Sequence, residues 1–242
     1  MDTEYSGFSR YHLSEMEEAL VKCDTTKGPF EIMLKQQWSP NGYNRAFELF
    51  ASGFMDGSYF FRVVPEFLVQ FGLTHSSDPK LRRFHDAQIP DDPQLNPPIK
   101  FDRGTVSFAG FGPNSRTSQL FISYGKIEFL GTELWETPVG QVIDGMDNVE
   151  ALYAEYGDMP PWGNGPEQHL IEQPNGREYM EKKFPEMDQF TSCTIKVNSA
   201  ALAVDEQLAW PVIACGVLLC GGILLFFVHT IQNKQYGSNK KE

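Results

Sequence analysis

Phe60-Phe61-Arg62-Val63-Val64-Pro65-Glu66-Phe67-Leu68-Val69-Gln70-Phe71-Gly72 and, further on, Gly104-Thr105-Val106-Ser107-Phe108-Ala109-Gly110-Phe111-Gly112-Pro113-Asn114-Ser115-Arg116-Thr117-Ser118-Gln119-Leu120-Phe121-Ile122-Ser123 decide the fold. Each holds two short runs of β-branched, aliphatic and aromatic residues interrupted by turn formers, so each reads as strand, turn, strand. Upstream, residues 21–26 and Phe30 to Lys35 flank Lys27-Gly28-Pro29, a hairpin signal. Residues 191–197 supply a last alternating strand. Helical spacing occurs twice. Ala46, Phe47, Phe50 and Ala51 mark a helix over 44–51 that ends near Gly53, and Val149, Leu152, Tyr153 and Tyr156 mark one from Asp144 to Gly157. Pro-rich connections at 90–98 and 160–166 read as ordered loops. Many short strands with two brief helices predict a mainly β fold, a closed antiparallel barrel, because closure removes vulnerable sheet edges.

Composition agrees with a folded chain of one domain plus an extra piece. Of 242 residues, 41% are hydrophobic and 13% aromatic, which excludes wholesale disorder. The net charge of −12 argues against nucleic acid as a partner, since phosphate binding needs lysine and arginine to release counterions.

The extra piece is the sequence WPVIACGVLLCGGILLFFVHTI at 210–231, with no formal charge while His229 is neutral. As a helix it reaches roughly 33 Å, enough for a hydrocarbon core of about 30 Å. Trp210 and Tyr236 sit near its two ends, where amphipathic rings prefer the interface. This stretch predicts a single membrane-spanning helix, preceded by a linker at 198–209 and followed by a short polar tail at 232–242. Residues 1–20 read as an acidic extension with no basic segment or apolar run of a signal peptide. A tail-anchored chain with a cytosolic domain is therefore the expectation. Lys234, Lys240 and Lys241 after the span point the other way, to a cytosolic tail, and a lumenal domain would imply a start signal missing from the chain. In a reducing cytosol Cys23 and Cys193 are expected to remain thiols.

The chemistry is not that of a hydrolase or nucleotide enzyme. G-x-S-x-G, H-E-x-x-H and the phosphate-binding loop are absent, and the cysteines and histidines lack metal-ligand spacing. Neither a metal nor a cofactor is expected. Gly110-Phe111-Gly112 reads as a turn, because Ser115 stands where a dinucleotide loop needs its third glycine.

The two opening segments closely resemble the signature segments of the cyclophilin-type peptidyl-prolyl cis–trans isomerases. The similarity continues through Ser52-Gly53-Phe54-Met55-Asp56-Gly57 and Val139-Gly140-Gln141-Val142-Ile143-Asp144-Gly145-Met146-Asp147, so the similar domain runs over 21–197. The resemblance implies an eight-stranded antiparallel barrel capped by two short helices, with no oligomer required. It also implies roles: Arg62 as the catalytic arginine, Phe67, Leu68, Phe121 and Leu130 around a proline pocket with Phe129 on its rim, and Gln70 and Gln119 holding the substrate backbone. Phe108, Ala109 and Gly110 fall in the same expected groove. Singly, such an arginine or phenylalanine is more often a surface ion-pair partner or plain core; the ordered motif favours a site. Departures are present: Phe129 replaces a common Trp, Phe61 a common His and Gly110-Phe111 a common Asn-Ala, the usual active-site His is absent from the segment at 130–140, and a bulky Phe111 stands to narrow the peptide subsite.

Elementary chemistry fits those roles. Rotation about an X-Pro bond faces roughly 18–20 kcal/mol because the amide lone pair is delocalised. A guanidinium donating to the prolyl nitrogen as it pyramidalises withdraws that lone pair from resonance. Moving from tens of seconds to milliseconds requires about 10⁴-fold, or roughly 5.5 kcal/mol. Two readings follow. One is a membrane-anchored prolyl isomerase acting on proline-containing polypeptides; the other is a non-catalytic proline-peptide module tethering a partner to a membrane.

Overall fold

The structure is a computed structural model that describes residues 18–197. The predicted span at 210–231, its linker and tail, and the start of the acidic extension lie outside the described residues. Among the described residues no helix is long and apolar enough to cross a membrane.

The hairpin forms as the turn chemistry demands. Strand β1 (Glu18–Thr25) pairs antiparallel with β2 (Phe30–Lys35), in a register that sets Val21 opposite Ile32 and Cys23 opposite Phe30. Alternation buries Ala19, Val21 and Cys23 from one strand and Phe30, Ile32 and Leu34 from the other. The first motif becomes β3 (Arg62–Val64) and β4 (Leu68–Phe71), the second β5 (Thr105–Phe108) and β6 (Leu120–Ser123). Strands β7 (Pro138–Asp144) and β8 (Phe190–Val197) complete one antiparallel sheet in the order β3-β4-β6-β5-β7-β2-β1-β8.

The sheet curls without closing, which corrects the expected closed barrel. Strands β3 and β8 form no ladder with each other; an isolated bridge between Tyr59 and Gln189 spans the gap, with backbone bonds from Phe60 N–H to Asp188 O (3.0 Å) and Phe190 N–H to Ser58 O (2.9 Å). The cause is local. The register of the bridge would set Arg62 opposite Glu186, but Pro185 and Glu186 form a turn and β8 begins only at Phe190, so β3 has no strand to pair with on that edge. Aromatic packing draws the two ends together: the Phe190 ring lies 4.3 Å from that of Phe60 and 5.1 Å from that of Phe71.

Five α-helices are present among the described residues, where two were expected. Helix α1 (Pro40–Ala51) starts earlier than its apolar spacing suggested, because Asp92 accepts from the N–H groups of Asn41 and Gly42 and so caps it from a distant loop. Arg116, fully buried, holds that carboxylate at 3.0 Å and also donates to the Pro90 carbonyl. Helix α2 (Pro79–Asp86) lies in a stretch for which the sequence suggested no element; Asp78 caps it, and Phe84 anchors it edge-on to Phe54 at 5.6 Å. Helix α3 (Met146–Glu150) is shorter than expected. Its spacing continued to Tyr156, but the Tyr153 N–H donates to the Asp188 carboxylate at 2.6 Å instead of extending the helix. Helices α4 (Gln168–Ile171) and α5 (Gly176–Lys183) seat Ile171 and Met180 in a second apolar cluster with Tyr59, Phe61 and Leu73.

Cys23 and Cys193 are register partners on β1 and β8, and their sulfurs are bonded. The expectation of free thiols is thereby overturned: it rested on compartment alone, whereas the register places the two Cα atoms 4.2 Å apart. The link ties the first strand to the last across 170 residues of chain.

Candidate active site

Strands β3, β4 and β6 build the site. Arg62 opens β3 opposite Gln70 on β4, and Gln70 lies opposite Phe121 on β6. One register therefore brings together residues from both signature segments. Arg62 remains partly exposed, with its guanidinium carbon 5.5 Å from the Phe67 ring centre.

An apolar cluster adjoins the arginine. Leu68, Phe101, Phe121 and Ile127 are buried in it, with Phe67, Ala109 and Leu130 partly buried against them. Phe101 stacks on Phe121 with centroids 5.7 Å apart and planes 11° apart, holding the Phe121 ring in one orientation. Phe129 stands 68% exposed, its ring 5.8 Å from that of Phe67. Beside the cluster is a cavity of about 300 Å³ bounded by Ile99, Phe101, Lys126 and Thr132; of the expected site residues it touches only Leu130.

Two expected residues take other places. Phe108 is buried in the main core beneath the Arg116 guanidinium, not in the cluster around Phe121. Gly110 is exposed and lies against Trp135, so a Cβ there would press on the indole. Phe111 is 89% exposed and joins no apolar cluster among the described residues. Phe61 points away from Arg62 into the cluster beneath α4 and α5.

Polar contacts form a circuit around the arginine. Arg62 Nη1 donates to Gln70 Oε1 at 3.1 Å, Gln70 Nε2 to Gln119 Oε1 at 2.8 Å, and Gln119 Nε2 to Gln168 Oε1 at 3.1 Å. Gln168 Nε2 reaches the Met159 sulfur at 2.9 Å. Next to Met159, the Asp158 carboxylate accepts from Arg62 Nε at 2.7 Å and from Nη2 at 3.0 Å. Sequence reasoning missed Asp158, Gln168 and Phe101. The available signal was a demand: a partly buried guanidinium needs an acidic partner, but nothing in a Pro-rich connection says which acid supplies it. Among the described residues no group of three or more His, Cys, Asp or Glu side chains is placed to hold a metal ion.

Comparison with known proteins bears on the family and the fold. The family model "Cyclophilin type peptidyl-prolyl cis-trans isomerase/CLD" matches residues 20–168. Peptidyl-prolyl cis-trans isomerase 10 of Caenorhabditis elegans is 34% identical over 134 residues, covering 54% of this chain and 80% of that protein. Peptidyl-prolyl cis-trans isomerase A of Dickeya dadantii is 29% identical over 164 residues, covering 62% and 80%. A crystal structure of a cyclophilin-type isomerase from Cryptosporidium parvum, 20% identical, superposes with a TM-score of 0.50 over 75% of this chain and 99% of its own, a likeness of fold. By the span of the family match and by its fold, the chain belongs to the cyclophilin-type peptidyl-prolyl cis–trans isomerases.

Proposed function

We propose that this chain catalyses rotation of X-Pro bonds in polypeptides, with Arg62 donating to the prolyl nitrogen while the ring rests on Phe67, Leu68, Phe121 and Leu130. The carrying observation is the state of the guanidinium. Of its five N–H groups, three are engaged by Asp158 and Gln70, which leaves one on each terminal nitrogen for a substrate carbonyl and a pyramidalising nitrogen. The neighbouring apolar cluster supplies a site of low dielectric in which such a donor is worth more than in water. In this reading Gln119 meets the flanking peptide backbone and Phe129 its side chains. A protease-coupled proline isomerisation assay on the full chain in detergent tests this: acceleration well above the uncatalysed rate supports it, and binding of a proline peptide without acceleration favours the tethering module instead.

The apolar stretch at 210–231 supports a membrane-anchored form. The bonded Cys23–Cys193 pair supports an isomerase domain facing an oxidising compartment, with Lys234, Lys240 and Lys241 in the cytosol. This reading replaces the cytosolic orientation expected from the lack of a signal segment, because the disulfide and the lysines now point the same way. Protection of the domain from protease added to sealed membranes would support it.

A further inference from the structure

We infer that Asp158 is a positioning residue for Arg62, and that the glycine turn at 163–165 exists to hold its carboxylate in place. The inference deepens the reading of Arg62 as the catalytic donor and rests on it.

Arg62 stands at the start of a three-residue strand, and only Gln70 from the sheet touches its guanidinium by a hydrogen bond. A single neutral contact at Nη1 leaves the plane free to turn about the side-chain torsions. Asp158 removes that freedom. Its two oxygens take the Nε edge of the guanidinium, a bidentate contact that fixes the plane, and they leave the outer hydrogens of the terminal nitrogens directed elsewhere.

The backbone around Asp158 is itself held. Gly165 N–H donates to the Asp158 carbonyl at 2.9 Å, Asn164 N–H to the Tyr156 carbonyl at 3.3 Å, and the N–H groups of Trp162 and Gly163 to the Met159 carbonyl at 3.0 and 3.2 Å. Gly163 lies directly on the Asp158 peptide, where any Cβ would overlap the carbonyl oxygen, so no other residue fits without moving the acid. At the far end of the segment Gln168 closes the circuit through Gln119 and Gln70, while Ile171 of the same helix is buried against Phe61. The segment is thus pinned at both ends and in its middle. That is the construction of a fixed bracket, in contrast to a strap that swings off the site.

The test uses the full chain in detergent, with kcat and KM measured separately on an X-Pro peptide for the wild type and for Asp158→Ala, Asp158→Asn, Gly163→Ala and Arg62→Ala. For a donor displaced by a fraction of an ångström, kcat should fall about tenfold in D158A while KM stays within about twofold. D158N, which keeps one acceptor, should lie between the two. G163A, which leaves every side chain of the site intact, should reproduce the D158A loss of kcat. Unchanged turnover in D158A overturns the inference, as does a rise in turnover, which would mean that the acid blocks the arginine. An equal loss of binding and rate, or a G163A protein with wild-type kcat, overturns it too. Arg62→Ala separates the two levels: full activity there removes the role of Arg62 and this inference together, whereas an inactive R62A beside a fully active D158A removes the inference alone.

Discussion

Arg62 and Gln70 face each other across β3 and β4, and the arginine Nη1 donates to the glutamine Oε1 at 3.1 Å while the same amide passes its own hydrogen to Gln119. The glutamine is therefore an orienting link between the cation and Gln119, set by sheet register. Gln70→Ala leaves Nη1 of the partly buried guanidinium without its protein partner. A hydrogen bond to a charged group is worth about 1.5–3 kcal/mol, so kcat/KM should fall roughly 10- to 100-fold. Steady-state kinetics decide; a loss under twofold removes Gln70 from the machinery.

Phe129 offers a contrast. It is largely exposed, so Phe129→Ala should leave stability within about 0.5 kcal/mol. It also packs beside Phe67 at the edge of the apolar cluster, so binding of a proline peptide should weaken several-fold. Titration calorimetry with the peptide checks this, and unchanged affinity would place the rim elsewhere.

His85 gives the domain a pH dependence. Its Nε2 accepts from the Thr74 N–H at 3.2 Å, which requires the unprotonated nitrogen, and burial, aided by the Arg82 charge, pushes its pKa below the ordinary 6.5. His75, half-buried beside Tyr59, is shifted the same way by desolvation. The unfolded chain then binds more protons than the folded one below pH 6.5. Stability is fully present above that pH and declines as the pH falls through the depressed folded values. Chemical denaturation between pH 7.5 and 5 should show the decline, and His85→Gln, which keeps an acceptor and does not titrate, should flatten it. An identical slope in that variant contradicts the assignment.

The Cys23–Cys193 link joins β1 to β8, the strand that ends the sheet. Constraining the unfolded state over so long a loop is worth roughly 2–5 kcal/mol. Reduction should therefore lower the melting temperature by about 5–15 °C for a domain of this size. A melting curve insensitive to reductant would show that the bond does not form in solution.

Much of this architecture was legible in the residues, and the parts that were not have physical causes. The hairpin at 21–35, whose first strand in fact begins at Glu18 within the stretch read as an extension, and the four strands from the two signature segments were readable because β-branched and aromatic runs alternate between clear turn formers. Arg62, Gln70, Phe121 and the others came from ordered motifs; the Arg62–Gln70 pairing then follows from register. Strand β7 was passed over as a strand because Gly140 and Pro138 weaken its pattern, and α4 and α5 because their buried faces amount to little more than Ile171 and Met180. Phe108 looked like groove and is core, since the period of two specifies a face without saying which side of the sheet it covers. Asp158 and Asp92 could not be found by local pattern at all. Each acts on a partner far away in the chain, and such contacts are set only when the loops close.

The central claim is that Arg62 turns a proline-binding groove into a catalyst. Two-dimensional NMR exchange spectroscopy on an X-Pro peptide with a catalytic amount of the full chain measures it directly, because the cis and trans resonances exchange only if the bond rotates on the protein. The account predicts strong exchange peaks with the wild type at mixing times of tens to hundreds of milliseconds, against tens of seconds uncatalysed. Both Arg62→Ala and Arg62→Lys should still bind the peptide yet lose nearly all exchange, since a compact ammonium lacks the planar fork. Exchange peaks of wild-type intensity in Arg62→Ala, or a wild-type protein that binds without exchange, would contradict it.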